Sequence, residues 1–222
     1  MPIPIDKLVR TKRKTIALII QQDGTLTIRA PLRMPEARIR AFVDTHEDWV
    51  AKTRTKVRAA LPSPIKLYKE GETFPFLGQL YPLKIVPHQR RRLDFDGQVF
   101  RLTKAVLPNA NEAFVDWYKT QAALTLLTRV DSLAKEKNYH YQRIRISSAR
   151  TRWGSCSSSG TLSFTYRLVM VPLKVVDYVV IHELIHTQVK NHSKTFWRRV
   201  GEAMPDYKIH QNWLKKNGRY LM

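Results

Sequence analysis

Val179-Val180-Ile181-His182-Glu183-Leu184-Ile185-His186 is the stretch that decides the fold, and His192 follows it six residues on. On an α-helix, residues four apart share one face about a turn apart, so His182 and His186 present imidazole nitrogens to one point. That is a metal-chelating pair. Glu183 lies to its side, where a carboxylate reaches a water beside the ion without being a ligand, and the His-Glu-x-x-His pattern makes it the general base. Seven His and eight Glu in 222 residues give roughly 0.008 chance matches to such a pattern, so coincidence explains it poorly.

The surroundings suit a buried helix. Pro172 fits a first helical turn, and Val175, Val176, Val179, Val180, Leu184 and Ile185 supply a broad apolar face. After the polar break Lys190-Asn191, with Asn191 expected in the left-handed conformation, His192 is the natural third ligand. Two plainer readings compete: His182 and His186 as core histidines satisfied by carbonyls, and His192 as a neighbour of a helix start, with Ser193 the N-cap of Lys194 to Ala203.

The chain has 222 residues, 43% of them hydrophobic, enough for one large or two small domains with a proper core. Its net charge of +21 is shared between residues 1–107, net +11, and 108–222, net +10. Such a charge favours anionic partners, among them nucleic acid, nucleotides and acidic protein segments, and it also describes a plain solvated basic surface. The single cysteine, Cys156, excludes an internal disulfide and suits a reducing compartment. With no secretory signal or membrane span legible, a soluble cytoplasmic protein without a membrane partner is expected.

Along the chain, Thr15 to Ile20 and the alternating Leu26 and Ile28 flank Gln22-Asp23-Gly24 and predict a hairpin. A helical period runs from Pro35 to about Ala60, through Ile39, Phe42, Val43, Trp49, Val50 and Val57. Leu61-Pro62-Ser63-Pro64 breaks the chain. Short strands are predicted at Ile65 to Tyr68, Glu72 to Phe76, Gln79 to Val86, Arg91 to Phe95 and Gln98 to Leu102. Residues 1–107 therefore read as a β-rich accessory unit carrying one long helix. Leu107-Pro108-Asn109-Ala110-Asn111 reads as the boundary to a second domain, 108–222. That domain opens with a long helix capped by Asn111 and continues with the strand Ile144 to Ser148. A further strand, Thr161 to Tyr166, pairs across Ser158-Ser159-Gly160. After the metal helix come two short helices, Lys194 to Met204 and Tyr207 to Lys216. The fold class is α+β.

Arg152-Trp153-Gly154-Ser155-Cys156, the His182 to His186 motif, Asn191-His192-Ser193, Phe196-Trp197 and Pro205-Asp206-Tyr207, in this order, resemble the YgjP-like metallopeptidase family. This is a zincin-like group related to the WLM and SprT-like domains. The resemblance covers roughly residues 150–215. It implies a zincin-like C-terminal catalytic domain with Zn2+ on His182, His186 and His192, and Glu183 as acid/base. The spacing also matches the metzincin pattern, except that Val189 stands where that pattern has Gly. Glu202 is the one candidate for a downstream glutamate ligand, and His192 is preferred because it directly follows the break.

Three protein ligands leave a position for a water whose pKa the ion lowers to about 7, which gives hydrolysis but not the bond cleaved. A metallopeptidase is the first expectation, with a peptide or protein substrate pairing to an edge strand in Ser158 to Tyr166. Arg150, Arg152 and Arg167 flank that hairpin and suit phosphate, and some members of the resembled group carry a UTP pyrophosphatase label, releasing UMP and pyrophosphate. That is the second expectation. Tyr207 is a candidate oxyanion stabiliser, and Cys156 reads as a packed side chain rather than a ligand. A third, non-enzymatic reading is a nucleic-acid-binding protein with a structural metal.

Overall fold

Alternation of large apolar and polar side chains produces three small sheets, and helices cover them. The structure is a computed structural model that describes residues 3–21, 24–59, 66–218 and 221. The predicted turn residues Gln22 and Asp23, the helix end at Ala60, the Leu61 to Pro64 break and Ile65 lie outside the described residues, as does the Val57 side chain. Contacts divide the chain into two units, Met1–Ile65 and Lys66–Met222.

In the first unit the strands β1 (Lys7–Thr11), β2 (Ala17–Ile20) and β3 (Leu26–Pro31) lie in the order β1-β3-β2. The predicted hairpin is the antiparallel pair of β2 and β3, whereas β1, parallel to β3, was not anticipated. Every second residue of β3, Leu26, Ile28 and Ala30, is fully buried in one cluster with Ile39, Val43 and Val50. The predicted single helix is two, α1 (Glu36–Thr45) and α2 (Glu47–Ala59). The break is at His46, where φ is −112° and ψ 21°. Side chains there take carbonyls of the last turn, His46 Nδ1 at 2.8 Å from Phe42 O and Thr45 Oγ1 at 2.6 Å from Ala41 O.

The second unit opens with β4 (Thr73–Phe76), β5 (Gln79–Val86), β6 (Leu93–Phe95) and β7 (Phe100–Thr103), in the order β4-β5-β7-β6. The strand expected at Ile65 to Tyr68 does not form over its described residues 66–68. A 3-10 turn, Lys104–Asn109, leads into α3 (Ala110–Lys137). Asn111 is thus inside the first turn of α3 rather than capping it, and its Oδ1 accepts the Tyr68 hydroxyl at 3.0 Å. The division after Leu107 predicted from the sequence is not where the units part. Phe74 stacks on Phe114 of α3 at 4.0 Å between ring centroids, and Phe100 lies 5.3 Å from the same ring. A sheet buries one face against something, and for this sheet that something is α3.

The third sheet contains β8 (Arg143–Ser147), β9 (Gly154–Cys156) and β10 (Thr161–Thr165) in the order β8-β10-β9. The predicted turn forms, with Gly160 at φ 81°, but it joins β10 antiparallel to β9, which was not anticipated as a strand, and the predicted strand Ile144 to Ser148 is β8, parallel to β10. So β10, expected as the free edge for a peptide, is the central strand, and the edges are β8 and β9. Leu162 and Phe164 of β10 are fully buried, which a central strand packed on its inner face requires.

Three helices complete the unit, α4 (Leu173–Ile185), α5 (Lys194–Ala203) and α6 (Tyr207–Asn217). Helix α4 is surrounded by α3, α5, α6 and β9, and its apolar residues from Val175 to Ile185 are buried, while Leu173 at its start is exposed. Its buried Asp177 is paired to Arg129 of α3, Nε to Oδ1 2.6 Å. The chain is α+β, as expected. No helix among the described residues is long and apolar enough to cross a membrane.

Candidate metal centre

His182 lies in the last turn of α4 and His186 is its C-cap residue. Beyond it the helix unwinds through tightened bonds, Thr187 N to Leu184 O and Gln188 N to Ile185 O, both 3.0 Å. These satisfy the end of the helix and turn the chain without a left-handed residue. Asn191, expected in that conformation, is not among the positive-φ residues described. His186 Nδ1 lies 2.9 Å from Val189 O. A proton there donates to the carbonyl, which fixes the ring and leaves Nε2 as the free ligand atom. Ser193 then caps α5, its hydroxyl accepting from Phe196 N at 3.4 Å. The cap fixes the chain one residue after His192.

The result is a convergence of three nitrogens. His192 Nε2 is 2.9 Å from His182 Nε2 and 3.3 Å from His186 Nε2. Tetrahedral coordination at 2.0–2.1 Å places two nitrogens about 3.3 Å apart, so the set fits a divalent ion with one side open. Burial pushes His182 down to about 3, with His186 and His192 adding to the effect, and burial also lowers His186. The His182 and His186 rings are thereby kept neutral at neutral pH, the form that ligates.

Phe196 is the floor of this centre. It is fully buried, with its ring 4.8, 4.5 and 4.7 Å from those of His182, His186 and His192. Trp197 stands 5.7 Å from His192, Tyr207 stacks on Trp197 at 5.7 Å, and Tyr178 lies 6.0 Å from His182. The sequence had marked Phe196 only as part of the Phe196-Trp197 motif. Its place third after the Ser193 cap was the available signal, because helical side chains lean back toward the N-terminus and thus toward His192. Tyr178 was also missed, although it precedes His182 by one turn on the same face.

Glu183 is 5% exposed, and a Cβ built on Gly154 of β9 would stand 2.7 Å from its Cγ and 2.8 Å from Oε1. Burial pushes its carboxyl up to about 8, with Arg152 working in the other direction. No hydrogen bond holds it among the described residues. It is a carboxyl kept dry, next in sequence to His182.

The other candidates separate. Arg150 and Arg152 are exposed. Arg167 is buried, donates to Ser148 O at 3.2 Å and lies over the Tyr166 ring at 4.4 Å, so its guanidinium is engaged within the fold. Tyr207 is one ring removed from the imidazoles, behind Trp197. Glu202 is exposed and paired to Arg198 at 2.6 Å, and neither it nor Cys156 joins the three-histidine group. The Cys156 thiol is raised by burial and donates to Ser157 O at 3.3 Å.

The profile of the YgjP-like, metallopeptidase domain matches residues 14–217. The chain belongs to that family. As a YgjP-like protein it is a metal-dependent hydrolase, and its match spans both compact units. Among curated proteins none matches the chain. A solved structure, the metallopeptidase zymogen of Pyrococcus abyssi abylysin, resembles 42% of this YgjP-like chain and covers 96% of its own, at 22% identity and a TM-score of 0.39. So slight a likeness adds nothing to the family assignment.

Proposed function

We propose that this YgjP-like protein is a zinc-dependent metallopeptidase in which His182, His186 and His192 hold the ion and Glu183 is the general base. The observation that carries the reading is the convergence of three imidazole Nε2 atoms beside a buried carboxylate. Zinc is favoured by an all-nitrogen set of three ligands with one open side. When bound it supplies a Lewis acid that acidifies water and polarises the scissile carbonyl.

The chain's own residues do the rest. Glu183 takes the proton of the attacking water on a carboxylate oxygen and delivers it to the leaving amide nitrogen, and its raised proton affinity suits both transfers. Phe196 holds the three rings, and Val189 O fixes one of them. Strand β9 receives the substrate. Ser155 pairs with Ser163 across to β10, so the amides and carbonyls of its neighbours Gly154 and Cys156 point away from β10, toward the free edge. An extended peptide added there as a further strand passes Glu183, which Gly154 touches. The single cysteine keeps the cytoplasmic expectation in place.

Glu183→Gln tests the mechanism. It is expected to keep its metal, read by elemental analysis, and to lose turnover by about 10²–10⁴-fold. A variant as active as the parent overturns the assignment. A second reading, UTP pyrophosphatase, has one observation in its favour: the exposed Arg152 guanidinium is close enough to Glu183 to act on its carboxyl. Glu183-dependent release of pyrophosphate from UTP, with no cleavage of unfolded protein, replaces the first reading by the second.

A further inference from the structure

The inner face of the third sheet belongs to the core and to Glu183, but its outer face does not. On β10, Leu162 and Phe164 point inward, so Ser163 points outward, with Ser155 of β9 and Arg145 of β8 on either side of it. There the loop before β9 and the three strands enclose a pocket of about 180 Å³, lined by Arg145, Arg152, Ser147, Ser155, Ser163 and Thr165 among others. Two hydroxyls are used internally, Thr165 Oγ1 on Ala149 O at 2.8 Å and Ser147 Oγ on Phe164 O at 3.2 Å. Among the described residues, Ser155 and Ser163 hydroxyls make no hydrogen bond, and Arg145 and Arg152 make no ion pair. The lining holds no acidic residue. Both arginines are exposed at the rim of the pocket, and the arginine fork matches a carboxylate with two parallel bonds.

Strand alternation says what reaches this pocket. A peptide added to the free edge of β9 sends successive side chains to opposite faces. Those on the Gly154 and Cys156 side go to the metal centre, and those on the Ser155 side go to the pocket. We propose that the pocket is a side-chain subsite that selects a glutamate or aspartate of the peptide substrate, held by Arg145 and Arg152 with the Ser155 and Ser163 hydroxyls. The proposal rests on the metallopeptidase reading.

Quenched-fluorescent peptides carrying Glu, Gln or Lys at each position around the scissile bond test it, cleaved by the zinc-loaded protein and, in parallel, bound to its Glu183→Gln form. At one outward-facing position Glu is expected over Gln by about tenfold in kcat/KM and in affinity, the scale of a charged hydrogen bond. The double variant Arg145→Gln, Arg152→Gln brings that ratio close to one. The charge reversal Arg145→Glu moves the preference toward Lys, a change of selectivity that misfolding does not produce. Cleavage without acidic preference, or a preference that survives both arginine substitutions, overturns the subsite and leaves the peptidase reading intact. If no peptide is cleaved, the peptidase reading fails and binding decides the pocket: acid-selective affinity lost in the double variant supports it, and equal affinity for Glu and Gln peptides overturns it.

Discussion

Glycine 154 has no side chain because Glu183 occupies the space one would need. A methyl there falls 2.7 Å from Glu183 Cγ, and that carbon is itself buried and cannot swing aside cheaply. Gly154→Ala is therefore expected to destabilise the fold by about 1–3 kcal/mol. Displacing the proposed base, Glu183, by even about an ångström is expected to cost turnover on the order of 100-fold. Thermal unfolding and steady-state kinetics on the same sample check both, and a variant unchanged in each means that the contact is loose. At this scale the sequence was legible where chemistry repeats with helical spacing: His182, His186 and Glu183 follow from the geometry of one turn. Gly154 was quoted there only as part of a motif, because the reason for it is a residue 29 positions away. Arg167 was grouped with Arg150 and Arg152, since nothing in a lone sequence shows that one guanidinium of three is bonded to Ser148 O inside the protein.

Helix α5 ties the third histidine to the first two. Ser193 caps it and Phe196, in its first turn, lies beneath all three imidazoles. Ser193→Ala is expected to cost about 1 kcal/mol of stability. It should also weaken metal binding, because the chain next to His192 loses its anchor. Competition with a chromogenic chelator reads the second effect, and an unchanged metal affinity would mean that Phe196 alone holds the ring. Phe196→Ala, which empties a fully buried site, is expected to cost about 3–5 kcal/mol and to weaken the metal further. Most elements were legible from periodicity, including all three helices around the site. Two of the misreadings have a plain physical reason. Alternation of Leu162 and Phe164 describes a half-buried strand without saying whether it has one neighbour or two, so β10 was taken for an edge. An apolar period running through His46 hides the local competition in which Thr45 and His46 side chains bond the preceding carbonyls and split α1 from α2.

The main core of the protein is organic side chain from end to end, joining β4–β7 through α3 to α4 and α5. Removal of the metal by a chelator is thus expected to abolish hydrolysis while leaving the far-ultraviolet circular dichroism intact, with a loss of stability of about 3 kcal/mol if the ion had been present at a hundred times its Kd. Unfolding on chelation would instead support the non-enzymatic reading with a structural metal. A fragment of residues 66–222 is expected to fold and bind metal, whereas one of residues 108–222 leaves Phe114 and Tyr118 without the strands they pack on and aggregates; size-exclusion chromatography separates the two outcomes. The misplaced boundary has this same origin, since a proline-asparagine turn looks like a linker until the aromatic faces on either side of it are seen to share one core. The three clustered histidines, finally, come from a segment whose ends, His182 and His192, are separated by ten residues. Closing so short a loop costs little chain entropy and takes about 10–100 ns, well ahead of the slower pairing of distant strands. Gly154 reaches Glu183 only when β9 has found α4. On the proposed peptidase reading, the nascent chain would thus gather its metal ligands before Glu183 meets Gly154, so that activity comes last.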